Sequence, residues 1–261
     1  MPERVVITGI GAVSPNGVGR EQFWAATRGG QSGVRRITLF DASQLAVQVA
    51  GQVEGFDPDL YVTPKDRPHV SRVVPLSLAA AAEALADAGV DPASLSRDQL
   101  RDISVILGSG GGSQDFTEEQ YRLYYAGLLK QISVYTIPSS TIGTLASEIS
   151  MYFGLRGSSH VISTGCTSST DALGYAFRQI RFGCARRMLV GGADAPICYV
   201  IVRGFLLMRI LTQRWNHAPE RASRPFSARE TWWPARESKR RMSVRLMRLS
   251  SATRMRSGAG A

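Results

Sequence analysis

Aliphatic runs closed by glycines recur along the chain. "RVVITGIGAVSPNG" from Arg4, "DISVILGSGGGS" from Asp102, "SSHVISTGC" from Ser158 and "RRMLVGGADAP" from Arg186 share this form. Apolar stretches bounded by turn residues predict strands that leave into loops, the first two of them buried. Between them the period lengthens. "REQFWAATRGGQSG" has helical spacing at Phe23, Trp24 and Ala26, and "SRVVPLSLAAAAEALADAG" is a helix rich in Ala and Leu, stopped by Gly89 and Pro92. "PSSTIGTLASEISMYFG" predicts one more helix, begun near Pro138 and ended by Gly154. A further helix is expected from Cys166 to about Phe182. Strands alternating with helices of this length imply an α/β layered sheet.

Beyond residue 228 the pattern stops. "RETWWPARESKRRMSVRLMRLSSATRMRSGAGA" has no clean period, adjacent tryptophans and scattered arginines. Residues 1–228 are therefore expected to form one domain and residues 229–261 a basic tail of no clear fold. The formal charge of +10 over 261 residues follows the same division. Nine Lys or Arg and two Glu in the tail give +7, leaving +3 for the preceding 228 residues. A nucleic-acid footprint is thus not expected. The longest apolar stretch, "PICYVIVRGFLLMRIL", is cut by Arg203 and Arg209 and reads as buried core rather than a membrane span. No signal peptide is expected at the N-terminus. Three cysteines without a CxxC pair argue against a disulfide framework or a zinc site, and a reducing cytoplasm is the expected compartment.

The glycine loops "VVITGIG" and "VILGSGGGS" invite a dinucleotide reading, because glycine turns after strands expose amides to phosphate. Neither has the spacing G-x-G-x-x-G nor ends in G-K-[ST]. A nicotinamide oxidoreductase is poorly supported. Turns that let backbones approach closely explain these glycines without a cofactor.

"ISTGCTSSTDALGYAFRQI" carries the candidate chemistry. A strand, a sharp turn at Gly165 and a helix would lift Cys166 above the sheet, as a nucleophile elbow lifts serine. Thiolate is the attacking species, and the unpaired amides and positive dipole end of a helix favour it. The amide of Cys166 would also be an oxyanion donor. Thr167, Ser168, Ser169 and Asp171 suit a first helical turn, and Leu173, Ala176, Phe177 and Ile180 form its apolar stripe. On the residues alone a second reading stands: an inert, buried cysteine at a tight corner. Cys184 and Cys198 have no such setting and read as structural.

Taken in order, "VVITGIGAVSPNG", "FWAATRGGQSGV", "MYFGLRGSSHVISTGCTSSTDALGYAFRQIRFG", "VGGADAPI" and "NHAPERASRPFSA" resemble the N-terminal half of an elongating β-ketoacyl-[acyl-carrier-protein] synthase, of the thiolase superfamily. The resemblance covers residues 3–228. It implies a thiolase-like α/β/α fold with a mixed sheet and helices on both faces. It also implies that Cys166 takes an acyl group as a thioester, followed by decarboxylative condensation with malonyl-carrier protein in fatty-acid or polyketide synthesis. The implied partners are acyl-carrier protein, whose phosphopantetheine thioester carries the substrate, and a second copy in a homodimer. No cofactor or metal is implied. An acyl pocket is implied at Gly111, where such enzymes often carry a bulky aliphatic residue, and near Ile137 and Thr141 in "TIPSSTIGTLAS".

Two departures qualify that expectation. The family's catalytic histidines, buried lysine and second oxyanion donor come from its C-terminal half. His69, His160 and His217, the three histidines present, lie outside the family's histidine motifs. Efficient condensation is not expected of this chain, and the alternative is a non-catalytic relative that binds carrier protein or a full-length partner. The tail also departs from the family pattern. Codons for Trp232, Trp233 and Pro234, read one base out of phase, permit family-like residues, so residues 229–261 are expected to be an out-of-phase translation. A basic arm for acidic carrier-protein surfaces is the competing expectation.

Overall fold

The computed structural model describes residues 4–224. The out-of-phase and basic-arm readings of residues 229–261 lie outside the described residues. In chain order the elements begin with a short hairpin, β1 (Val13–Ser14) and β2 (Gly17–Val18), followed by α1 (Arg20–Arg28). A second ladder pairs β3 (Val34–Arg36) with β4 (Val49–Gly51). Then come α2 (Val73–Asp87), α3 (Arg97–Arg101), β5 (Ile103–Gly108), α4 (Gln114–Tyr125), α5 (Thr136–Ser140) and α6 (Thr144–Phe153). The last four are β6 (Ser159–Ile162), α7 (Ser168–Arg181), β7 (Arg187–Gly192) and α8 (Tyr199–Leu207).

The central sheet has the order β6-β5-β7, and both pairings are parallel. Parallel pairing requires crossover helices, and these cover both faces. On one face Ile103, Val105 and Leu107 of β5 join Val73, Val74, Leu78 and Ala81 of α2 and Leu145, Ala146 and Ile149 of α6 in the main core. Strand alternation turns Ser104, Ile106 and Gly108 to the other face, where α7 packs with Ala172 and Ala176 buried. The expected α/β/α layering is present. Among the described residues, antiparallel pairing is confined to the two short ladders.

One expected strand does not form. The run Val5–Val6–Ile7 makes no ladder among the described residues, and Val6, Ile7 and Ile10 are 58%, 77% and 55% exposed. Its continuation is held by a helix instead of a strand. The Ile10 amide donates to Asp87 at 2.9 Å and the Ala12 amide to Glu83 at 2.9 Å, both carboxylates on α2. Side-chain acceptors here take the place of a neighbouring strand, so β-propensity is overruled by the available partners.

Two other expectations need adjustment. The helix expected from Pro138 to Gly154 is broken into α5 and α6 at Thr141–Gly143. The stretch read as buried core at residues 196–211 is amphipathic: Val202 and Leu206 of α8 are buried with Ile37, Leu45 and Val47, while Val200, Leu207 and Met208 are exposed. No helix among the described residues is long and apolar enough to cross a membrane.

Candidate active site

β6 ends at Ile162, and a 3-10 turn over Gly165–Thr167 leads directly into α7. Gly165 has φ +68°, a left-handed conformation that a side chain would strain. Cys166 stands in this turn and is exposed. The helix expected to begin at Cys166 therefore begins with this tighter turn, and the α-helical part starts at Ser168. The thiol is neither buried in hydrocarbon nor set along the strand.

The hydroxyl residues around Cys166 fasten the elbow. Ser168, only 2% exposed, donates through Oγ to the Gly165 carbonyl at 2.6 Å and accepts from the Thr164 amide at 2.9 Å. Asp171 Oδ2 accepts from Thr164 Oγ at 2.5 Å and from Thr167 Oγ at 2.9 Å. These two hydroxyls hold the Asp171 carboxyl below the usual carboxylate range. Thus Thr164, Thr167, Ser168 and Asp171 each have a partner within the turn. Cys166 is left facing outward.

Glycines supply the seat beneath. A Cβ on Gly108 would stand 2.2 Å from the Ser168 carbonyl carbon, and one on Gly192 would stand 2.2 Å from Ser169 Cβ. Gly108 and Gly192 face each other in the ladder, so the ends of two strands open space for the first turn of α7. A third contact was not legible as functional: Gly110 lies against Gly165, where an added Cβ would stand 2.8 Å from the carbonyl oxygen. Asp194 closes this loop by accepting from Ser109 Oγ and from the Gly110 and Gly111 amides. Nothing local in "VGGADAP" marks Asp194 for this part, because its donors lie 83 to 85 positions away.

The remaining candidates fall in different places. Gly111 faces the β7 end, where a Cβ would meet Asp194 Oδ1 and Pro196 at 3.1 Å. Ile137 and Thr141 are exposed on and just after α5. Ile142 touches the same glycine loop, 3.2 Å from a Cβ on Gly112. Cys198 is buried, and that burial pushes its thiol up to about 12, which suits a structural residue. Cys184 is exposed, its Sγ 3.9 Å from the Phe182 carbonyl.

The histidines are engaged elsewhere. His69 Nδ1 lies 2.8 Å from Ser133 Oγ, His160 of β6 meets the Tyr175 ring edge-on at 5.2 Å, and His217 lies 6.0 Å from the Trp215 ring. A cavity of about 600 Å³ lies between residues 11–15, α2 and residues 192–197, and its lining does not include Cys166. No cluster of His, Cys, Asp or Glu among the described residues could hold a metal ion.

An exposed cysteine on a strand–turn–helix elbow, over a parallel sheet layered between helices, is consistent with the thiolase-like fold class. The chain matches the family model "Beta-ketoacyl synthase, N-terminal domain" over residues 2–231 and belongs to that family. It is 37% identical over 233 residues to 3-oxoacyl-[acyl-carrier-protein] synthase 2 of Rhizobium meliloti, covering 86% of this chain and 55% of the relative. It is 34% identical over 235 residues to the tetracenomycin polyketide synthase ketoacyl synthase alpha subunit of Streptomyces glaucescens, covering 86% and 53%. Among solved structures, a β-ketoacyl synthase from Burkholderia phymatum superposes with a TM-score of 0.72 at 28% identity, covering 88% of this chain and 55% of that one. A type II polyketide acyl-carrier protein in complex with its ketosynthase bound to the hexaketide gives a TM-score of 0.67 at 27% identity, covering 82% and 51%. The chain thus spans about half the length of the curated relatives it matches.

Proposed function

We propose that Cys166 is the acyl-accepting nucleophile of a β-ketoacyl-[acyl-carrier-protein] synthase, acting in fatty-acid or polyketide synthesis. The observation that carries this reading is the exposed thiol on the β6–α7 elbow, with its flanking hydroxyls committed to holding the turn. In the first step Cys166 Sγ bonds to the acyl carbon of an acyl-phosphopantetheine thioester. The carrier's C–S bond breaks, and its sulfur leaves and takes up a proton. The Cys166 backbone amide is the proposed donor from this chain to the tetrahedral oxyanion. In the second step malonyl-carrier protein loses carbon dioxide. The electron pair of the broken C–C bond forms the new bond to the acyl carbon, and Cys166 leaves as thiolate.

Acyl-carrier protein is the proposed partner, in the cytoplasm, and a second copy of the chain the proposed dimer mate. Gly111, Ile137 and Thr141 are the proposed acyl-pocket residues. The contact between Ile142 and the glycine loop supports placing them on one side of the molecule. The reaction is divided, because His69, His160 and His217 pair with Ser133, Tyr175 and Trp215 rather than with Cys166. Acylation is expected and efficient condensation is not.

The test is intact mass after incubation with the hexanoyl thioester of N-acetylcysteamine. A single acyl adduct is expected on the wild type, absent from Cys166→Ala. No adduct on Cys166 would overturn the nucleophile reading. Retained binding of acyl-carrier protein would then favour a non-catalytic role.

A further inference from the structure

We infer that Asp194 is a positioning residue for the Cys166 elbow, acting through the glycine loop that follows β5. This rests on the reading of Cys166 as the nucleophile. Oδ1 of Asp194 accepts from Ser109 Oγ at 3.0 Å and from the Gly111 amide at 2.7 Å, and Oδ2 accepts from the Gly110 amide at 3.0 Å. The Gly112 amide donates to Ser109 Oγ at 3.0 Å, so the loop closes around one carboxylate. The base of the loop is fixed as well, by the Ala193 amide donating to the Gly108 carbonyl at 3.0 Å. The loop's free side rests on the turn that carries the thiol, through Gly110 against Gly165.

A carboxylate suits this place because all its neighbours donate. Three donors aimed at two acceptor oxygens hold the loop in a single arrangement. An amide would turn an NH₂ group toward an N–H or a hydroxyl, leaving at least one donor opposed. The loop would then relax away from Gly165, and the turn would lose the surface that keeps Cys166 and the first α7 amides in register. Asp194 touches no reacting atom in this account. Its effect is exerted through backbone placement alone, to which nucleophilic reactivity is steeply sensitive.

The three cysteines make the test internal to one molecule. Cys166 reports the elbow, exposed Cys184 reports ordinary thiol reactivity, and buried Cys198 reports loss of the fold. The 261-residue wild type and Asp194→Asn are treated with iodoacetamide, and adducts at each position are quantified by peptide mass spectrometry. The Cys166-to-Cys184 ratio is expected to fall about tenfold in Asp194→Asn, with Cys198 still protected. An unchanged ratio with Cys198 protected overturns the inference. Should Cys198 become labelled, Ser109→Ala, which removes one of the three donors to Asp194 together with the acceptor of the Gly112 amide, decides instead. A fall of about threefold with Cys198 protected is expected, and an unchanged ratio overturns the inference. Acylation by the hexanoyl thioester is measured in parallel. Wild type that takes no acyl group, with the ratio still falling in the variant, defeats the nucleophile reading while leaving Asp194's role intact. Acylation equal in wild type and variant defeats the role of Asp194 alone.

Discussion

Gly108, the last residue of β5, lies so close beneath Ser168 that a methyl group on it would stand 2.2 Å from the Ser168 carbonyl oxygen. Ser168 is also the residue whose hydroxyl bridges the turn around Cys166. Strand packing and nucleophile placement therefore share one contact. Gly108→Ala must push the start of α7 outward, because the opposing atoms are backbone and cannot rotate away. Overpacking of this kind costs about 1–3 kcal/mol. We expect a lower melting temperature and slower acylation of Cys166, measured by thermal unfolding and intact mass. Wild-type stability together with wild-type acylation would show that the α7 start yields without disturbing the elbow.

Glu83 predicts a different loss. One carboxylate on α2 accepts from the Ala12 amide and, through both oxygens, from the Arg20 amide at 2.9 and 3.1 Å. It thereby ties both ends of the β1–β2 hairpin to the main core. Glu83→Gln keeps the shape but replaces an acceptor oxygen with a donor facing those amides. The expected cost is about 1–3 kcal/mol, read by urea unfolding. Local hydrogen exchange should rise first at Ala12 and Arg20, and exchange that rises uniformly would argue against a local tie.

Glu148 gives a pH dependence of definite sign. It lines a narrow cleft with Ser71, Ser139 and Thr144, and burial, then the charge of Asp66, raises its carboxyl above the usual range. A raised carboxyl means that the folded state favours the protonated form. Its stabilising effect is complete below the unfolded value of about 4.3 and is lost as pH rises through the folded value. Glu148→Gln, which cannot ionise, should melt close to wild type near pH 4 and above it near pH 8. Parallel melting curves of the two proteins across that interval would remove the effect.

Much of this arrangement was readable from residue order, and the exceptions share a cause. The elbow was legible because Gly165, Cys166 and the hydroxyl run occupy consecutive positions, so local rules apply. The buried strand Ile103–Gly108 and the half-buried strand Arg187–Gly192 were legible for the same reason. The strand expected at Val5–Ile7 failed because pairing is a non-local property: apolar character makes a strand possible, and a partner makes it real. The α4 helix carried its signal in Phe116, Gln120 and Leu123, all buried, but the polar residues between them masked the period. Asp194 was invisible because its donors are 83 to 85 positions away in sequence. Nothing local distinguishes it from the many acidic residues that end turns.

The outer face of α4 bears on the proposed dimer. Phe116 and Leu123 are buried, yet Tyr121, Tyr124 and Tyr125 are 59%, 58% and 81% exposed, with ring centroids 6.4 Å apart for Tyr121–Tyr125 and 5.4 Å for Tyr124–Tyr125. Val134, just before the adjoining α5, and Ile137 within it are 84% and 79% exposed. Grouped aromatic and aliphatic exposure of this extent marks an association surface more often than free solvent. Self-association should therefore depend on concentration. Tyr125→Glu places a charge where apolar burial is expected, and should weaken association by about 1–3 kcal/mol, or roughly five- to 150-fold in Kd. Size-exclusion chromatography with light scattering measures this directly. A mass equal to one chain at every concentration, for wild type as for the variant, would exclude pairing through this face and leave the tyrosines to another partner.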